Sequence, residues 1–218
     1  LSEALYVVPK ERVSADSTAR QYNDIGTLPL KNVRIVDFTR VWAGALGIRY
    51  LADLGAEVIK VETARFPDGI RNGIPIQPSV PDLNRSKLSI TVDFHKREGM
   101  ELLKRLVEVS DIVVDNFPSG VLERRGLGYE VLKKIKPDII MVSMPGFGNS
   151  GPYAKYVAYG QELMAASGLT YLWGYPDSPQ VNRAKAYYTD FSSAGSIASA
   201  IMMALECRNH TGLGQYIE

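Results

Sequence analysis

From Leu30 onward the hydrophobic positions switch repeatedly between a period of two and a period near 3.6. "VRIVDF" is a β-branched run, and in "GALGIRYLADLG" the residues Leu46, Tyr50, Leu51 and Leu54 share one helical face that stops at Gly55. "AEVIKVE" returns to strand character, so these segments predict a β-α-β unit. After a loop rich in Pro and Gly from Phe66 to Asp82, "LSITVDF" predicts a strand. "KREGMELLKRLVEVS" predicts a helix with Met100, Leu103, Leu106 and Val107 on one face. "DIVVDNF" and "DIIMVSMPGFG" predict two further strands, separated by the glycine-broken helical stretch "GVLERRGLGYEVLKKIK". Later, "FSSAGSIASAIMMALECR" reads as a helix whose Gly195, Ser196, Ser199 and Ala200 permit close packing, and "GQYIE" is strand-like. Strands alternating with helices, several of them apolar throughout, predict an α/β fold: a Rossmann-like parallel sheet with helices on both faces.

Residues 1–27 mix Pro, Ser, Asp, Arg and Asn without sustained periodicity and read as a linker or N-terminal extension; residues 28–218 read as one domain. A start at Leu1 and a strand-like end predict a piece of a longer chain. A length of 218 residues, 45% hydrophobic and 22% charged, suits one such domain. With 25 basic and 24 acidic residues, scattered along the chain, there is no footprint for a nucleic-acid backbone. Cys207 is the one cysteine, and His95 and His210 lie far apart, so neither a disulfide framework nor a metal site is expected. No apolar run reaches membrane-span length, and "LSEALYVVPKERVSADSTAR" is too charged for a signal peptide core. The expectation is a cytoplasmic protein without a membrane partner.

Ligands of a parallel sheet bind where its strands end. The segments there are "TRVWAGA", "TARFPDG", "HKREG", "NFPSG" and "PGFGNSGP". Their backbone donors, basic residues and aromatics suit a large ligand with phosphates at one end and an apolar stem. "GFGNSG", from Gly146 to Gly151, satisfies the dinucleotide pattern G-x-G-x-x-G. Its place after the fifth strand, with Pro152 next, is wrong for that fingerprint, so it reads as a Gly-rich turn before a helix starting near Pro152. Asp190 stands alone before the late helix, where spacing by itself favours an N-cap over chemistry.

"LPLKNVRIVDFTRVWAGALGIRYLADLGAEVIKVE", "NRSKLSITVDF", "DNFPSGVLERRGLGYEVLKKIKPDIIMVSMPGFGNSGP", "AASG" and "TDFSSAGSIASAIMMALECRNHTGLGQYIE" resemble successive blocks of the class III CoA-transferase family. That family includes the formyl-CoA and carnitine CoA-transferases and, as a relative, α-methylacyl-CoA racemase. The match runs from about Leu28 to the end, the first half of a usual member. It implies the CoA-binding large domain of an enzyme in which two chains interlock as rings. The partners would be an acyl-CoA and a carboxylic acid, with coenzyme A as substrate and no separate cofactor. Assembly would be a homodimer or, given the extension before Leu28, a tandem intrachain pseudo-dimer.

Carried over by position, the resemblance places Trp42 and Ala43 by the pantetheine and thioester. It places Val92, Asp93, Phe94 and His95 around the adenine and ribose, and Asn116, Phe117 and Pro118 in the middle. Arg124 would meet a phosphate, and Met144, Pro145, Gly146 and Phe147 the pantetheine again. Asp190 matches the catalytic aspartate. Thr63 stands where relatives often have arginine, His95 where lysine is common and Trp42 where the formyl-CoA enzyme has glutamine; Lys96, Arg65 or Arg71 could replace the lost charges. A carboxylate with an ordinary pKa of about 4 is ionised at neutral pH and needs no histidine to attack a thioester. The resemblance thus implies CoA transfer through an aspartyl-CoA thioester, with this piece alone inactive because the absent half completes the site. The alternative is a non-catalytic CoA-binding or assembly half of a tandem chain. A racemase ranks lower, because Tyr159 or Gly160 stands where its histidine proton carrier would be.

Overall fold

Strands β1 (Arg34–Asp37), β2 (Glu57–Glu62), β3 (Lys87–Thr91), β4 (Ile112–Asp115), β5 (Ile140–Ser143) and β6 (Gln215–Ile217) form a parallel sheet ordered β3-β2-β1-β4-β5-β6. They are seen in a computed structural model that describes residues 28–71, 79–174, 177 and 187–218. The helices are α1 (Ala43–Asp53), α2 (Ser79–Asn84), α3 (Arg97–Glu108), α4 (Val121–Arg124), α5 (Tyr129–Ile135), α6 (Gly160–Ala166), α7 (Leu169–Leu172) and α8 (Tyr188–Thr211). The expected linker, residues 1–27, lies outside the described residues.

Alternation along the strands sorts the core into two layers. Ile35, Ile112, Val114, Ile140 and Val142 pack with Ile48 and Leu51 of α1 and Ile197, Ile201 and Leu205 of α8. Val36, Val113 and Met141 point the other way, against Leu103, Leu106 and Val107 of α3 and Leu132 of α5. Every residue of β1, β4 and β5 is buried, which is why these strands carry apolar runs on both faces, with the polar Asp37, Asp115 and Ser143 at their ends. Each large aliphatic side chain so buried contributes about 1.5–3 kcal/mol. β3 is an edge strand and leaves Leu88 57% exposed.

Three local expectations change. No helix starts near Pro152: Gly151 adopts φ +85°, isolated turns follow, and α6 begins at Gly160, where Glu162 Oε2 accepts the Tyr159 N–H at 3.0 Å. Gly195, Ser196 and Ser199 face outward. The close approach of α1 and α8 occurs instead at Gly47, where a Cβ would collide with Ile197 and sit 2.8 Å from the Ala194 carbonyl. Leu54 lies beyond the buried stripe of α1, which includes Ala45, Ile48 and Leu51.

The strand order reverses between β1 and β4, since β1 continues toward β2 on one side and meets β4 on the other. Connections leave a sheet in opposite directions at such a point and open a crevice beyond the strand ends.

Candidate active site

A cavity of about 630 Å³ occupies that crevice. Three strand-end segments and the start of α8 build its wall. After β1 come Arg40 to Ala43, after β4 Asn116 to Pro118, and after β5 Met144 to Gly146. Tyr156 to Leu163, on the approach to α6 and its first turn, close another side, and Tyr187, Thr189, Asp190 and Ser193 complete it. The wall is mainly apolar and aromatic with a few convergent polar groups, as expected of a small-molecule site.

Asp190 is the third residue of α8, in its first turn; Tyr187 is the N-cap residue. Its backbone N–H donates to Tyr187 O at 3.0 Å. The capping expectation is thereby corrected: the carboxylate sits in the first turn, where a negative charge is favoured by the helix dipole, but it satisfies no end group of the helix. Burial pushes its pKa above the ordinary carboxylate value. Gly160, the first residue of α6, lies against it, since a Cβ there would stand 2.8 Å from Asp190 Oδ2. Thr189 Oγ1 ties the two helix starts together by donating to Gly160 O at 2.9 Å, and Gln161 Nε2 donates to Tyr187 Oη. A half-buried carboxylate on a rigid first turn, opening into an apolar cavity, is arranged to act as a nucleophile or a base.

Of the residues singled out in the sequence, Trp42, Ala43, Asn116, Phe117, Pro118, Met144, Pro145 and Gly146 share this cavity with Asp190. The others lie away from its wall. Val92 and Phe94 are core residues, 6% and 8% exposed, packed in the layer of α3. Asp93 Oδ1 accepts the His95 backbone N–H at 3.1 Å, and that bond leads the influences holding its carboxyl below the usual range. His95 stacks on Phe94 at 5.3 Å between ring centroids and lies 5.9 Å from Phe66. Its Nε2 is 2.8 Å from the guanidinium of Arg125, while exposed Arg124 donates to Ser119 O at 3.4 Å. Phe147 packs on Tyr153, centroids 5.9 Å apart. Arg71 is engaged by Glu62 through two hydrogen bonds of 2.9 and 2.8 Å, so of the three expected replacement cations it is already paired.

Arg40, Val41, the segment Tyr156 to Leu163, Tyr187, Thr189 and Ser193 join the site without having been singled out as contacts, apart from the position of Tyr159 and Gly160. Ser193 was legible in principle, since it follows Asp190 by three residues on a helix and shares its face. The segment "YVAYGQEL" carries no periodicity that would place it there. Among the described residues no group of His, Cys, Asp and Glu is arranged to hold a metal ion, and no helix is long and apolar enough to cross a membrane.

The sequence profile of CoA-transferase family III matches residues 30–218. An acyl-CoA transferase of Fusarium pseudograminearum is 36% identical over 95% of this chain and 48% of its own length. The succinyl-CoA:glutarate CoA-transferase of Mus musculus is 37% identical over 92% of this chain and 47% of its own. Among solved structures, a CAIB/BAIF family protein from Brucella suis superposes with a TM-score of 0.82 at 38% identity, covering 88% of this chain and 52% of that one. The chain thus spans about half the length of the curated relatives it matches. A family profile that accounts for both layers of the sheet and for the α8 segment carrying Asp190 leaves one conclusion: the chain belongs to CoA-transferase family III.

Proposed function

We propose that this chain is the CoA-binding large domain, residues 28–218, of an enzyme that moves coenzyme A from an acyl-CoA to a carboxylic acid. The observation that carries the reading is the Asp190 carboxylate, raised in pKa by burial and set in the wall of an apolar cavity at the sheet's reversal point. A carboxylate oxygen of Asp190 attacks the thioester carbonyl, expelling CoA thiolate and leaving a mixed anhydride. The thiolate attacks the Asp190 carbonyl of that anhydride, releasing the donor acid as carboxylate and leaving an aspartyl-CoA thioester. The acceptor carboxylate repeats both steps in reverse order, so charge and protons balance without a general base.

Trp42, Phe117 and Met144 provide apolar wall for the pantetheine stem, and the loops holding His95, Arg124 and Arg125 lie at the same sheet edge for the nucleotide end. The acyl partners of the relatives make short acids, including dicarboxylic acids such as glutarate, the class to assay first. Assembly with a second copy or with a tandem module, and the cytoplasm as compartment, are part of the same proposal, as is inactivity of the isolated piece. The non-catalytic alternative gains nothing from the site, because Asp190 is oriented into the cavity rather than spent on a cap. Racemisation ranks lower, since Tyr159 or Gly160 stands where the histidine proton carrier would be and neither histidine lines the cavity among the described residues. Incubating the full-length protein with acyl-CoA and then hydroxylamine tests the intermediate: mass spectrometry should find a hydroxamate on Asp190. Unmodified Asp190 after turnover would reject it.

A further inference from the structure

Five successive backbone polar groups after β1 are each held by a side chain: Thr39 N–H by Asp37, Thr39 O by Lys60, Arg40 N–H and O by Asn116, and Val41 N–H by Asp68. The distances run from 2.7 to 3.0 Å. Val41 needs such restraint, because its φ of +61° lies in the left-handed region that a β-branched residue enters only at a cost of about 1–3 kcal/mol.

Beneath the loop the holding groups are joined in pairs. Lys87 Nζ donates to Asp37 Oδ2 at 2.9 Å and also to the Ala45 and Asn84 oxygens, at 2.9 and 3.2 Å. Lys60 Nζ lies 3.3 Å from Asp68 Oδ2, while Asp68 Oδ1 accepts from Val41 and, at 3.3 Å, from Ile70. None of the four charged side chains is more than 2% exposed. Burial alone would raise the Asp37 carboxyl, but the Lys87 and Lys60 charges and the Thr39 hydroxyl outweigh it and hold it below the ordinary value. Two buried ion pairs are no stability device, since apolar residues of similar volume serve a core at least as well. What they do here that apolar residues cannot is bind backbone polar groups of one loop: Asp37, Lys60 and Asp68 each hold one directly, and Lys87, at the start of β3, holds Asp37.

We infer that Asp37, Lys60, Asp68 and Lys87 are positioning residues, a charge-neutral quartet that fixes Thr39–Val41 and so sets where Arg40, Val41 and Trp42 stand in the wall of the Asp190 cavity. The effect on catalysis rests on the proposed CoA transfer; the effect on the loop does not.

The test compares Asp68→Ala, Asp68→Asn and the neutral, space-filling pair Lys60→Met/Asp68→Leu in the full-length protein. Amide hydrogen exchange of the segment 38–46 and steady-state kinetics are read side by side. Asp68→Asn keeps an acceptor for Val41 N–H but leaves Lys60 without its ion pair, so it should exchange faster than wild type and more slowly than Asp68→Ala. Asp68→Ala and the double variant should exchange about tenfold faster in this segment and show an acyl-CoA KM raised about tenfold, with kcat less affected. The double variant guards against simple unfolding, since its core is refilled and its melting temperature should stay close to wild type. Wild-type exchange in the stable double variant would overturn the inference, as would fast exchange with an unchanged KM. If the wild type itself transfers no CoA, the exchange result still decides whether the quartet holds the loop.

Discussion

Gly160 stands against Asp190 so closely that a methyl group in place of its hydrogen would lie 2.8 Å from Oδ2 and 3.0 Å from Cγ. The same methyl would meet Tyr187 Cβ at 2.9 Å. Alanine at an exposed helix position normally gains up to about 1 kcal/mol over glycine. Here the clash decides the sign. Gly160→Ala should displace the carboxylate and lower kcat by about tenfold or more, while far-UV circular dichroism stays unchanged. Wild-type kcat in this variant would show that the approach of α6 to Asp190 has no bearing on turnover.

Asn116, just after β4, bonds both backbone groups of Arg40, accepting from N at 2.7 Å and donating to O at 2.8 Å. Asn116→Ala removes both bonds at the sheet's reversal point. The expected cost is about 1–3 kcal/mol of stability, with weaker CoA binding in calorimetry. Asn116→Asp keeps the acceptor but sets a negative oxygen against the Arg40 carbonyl, so it should not restore binding. Full affinity in Asn116→Ala would show that the clamp is not needed.

Asp115, 3% exposed at the end of β4, makes stability depend on pH in an unusual direction. Burial pushes its pKa up to about 7, with Glu123 adding to the rise and the Phe117 N–H and Ser143 opposing it. Between the ordinary value of 3.8 and about 7 the folded state therefore holds a proton that the unfolded chain has released. The group's favourable contribution is complete below 3.8 and is lost as the pH rises through about 7. Asp115→Asn can keep an acceptor for Phe117 N–H, now bonded at 3.0 Å, without the charge. Its melting-temperature advantage over wild type should therefore grow as the pH rises from about 4 to about 7 and level off above, by stability on the order of 1 kcal/mol or more. A lower melting temperature than wild type at pH 8 would contradict this.

The sheet was legible because β1, β4 and β5 are buried on both faces and leave short apolar runs, IV, IVV and IMV, between the helical segments. The segments following strand ends were legible for the same reason, since the ends fix where ligands bind, while Trp42, Asn116 and Met144 within or beside them were singled out by the family resemblance. Val92 and Phe94 were not distinguishable from site residues, because a β-to-loop transition reads the same whether its side chains turn into the core or into a crevice. Tyr156 to Leu163 were missed because an irregular segment is placed by tertiary contacts, here the Thr189 to Gly160 bond, which local pattern does not encode. Asp190 looked like a cap because Asp before a helical run usually is one; Tyr188 and Thr189 in fact already belong to the helix.

The account turns on Asp190 forming a covalent bond. Asn at this position keeps the volume and the place in the first turn of α8, and it sheds the desolvation that raises the carboxyl, so Asp190→Asn should melt no lower than wild type and bind CoA as well. An amide cannot form the anhydride, so transfer of CoA between acids by the full-length protein should fall by about three orders of magnitude or more. The decisive measurement is the kcat of Asp190→Asn, taken beside its CoA affinity. Loss of turnover with affinity intact is the result predicted, and turnover at the wild-type rate would contradict the account.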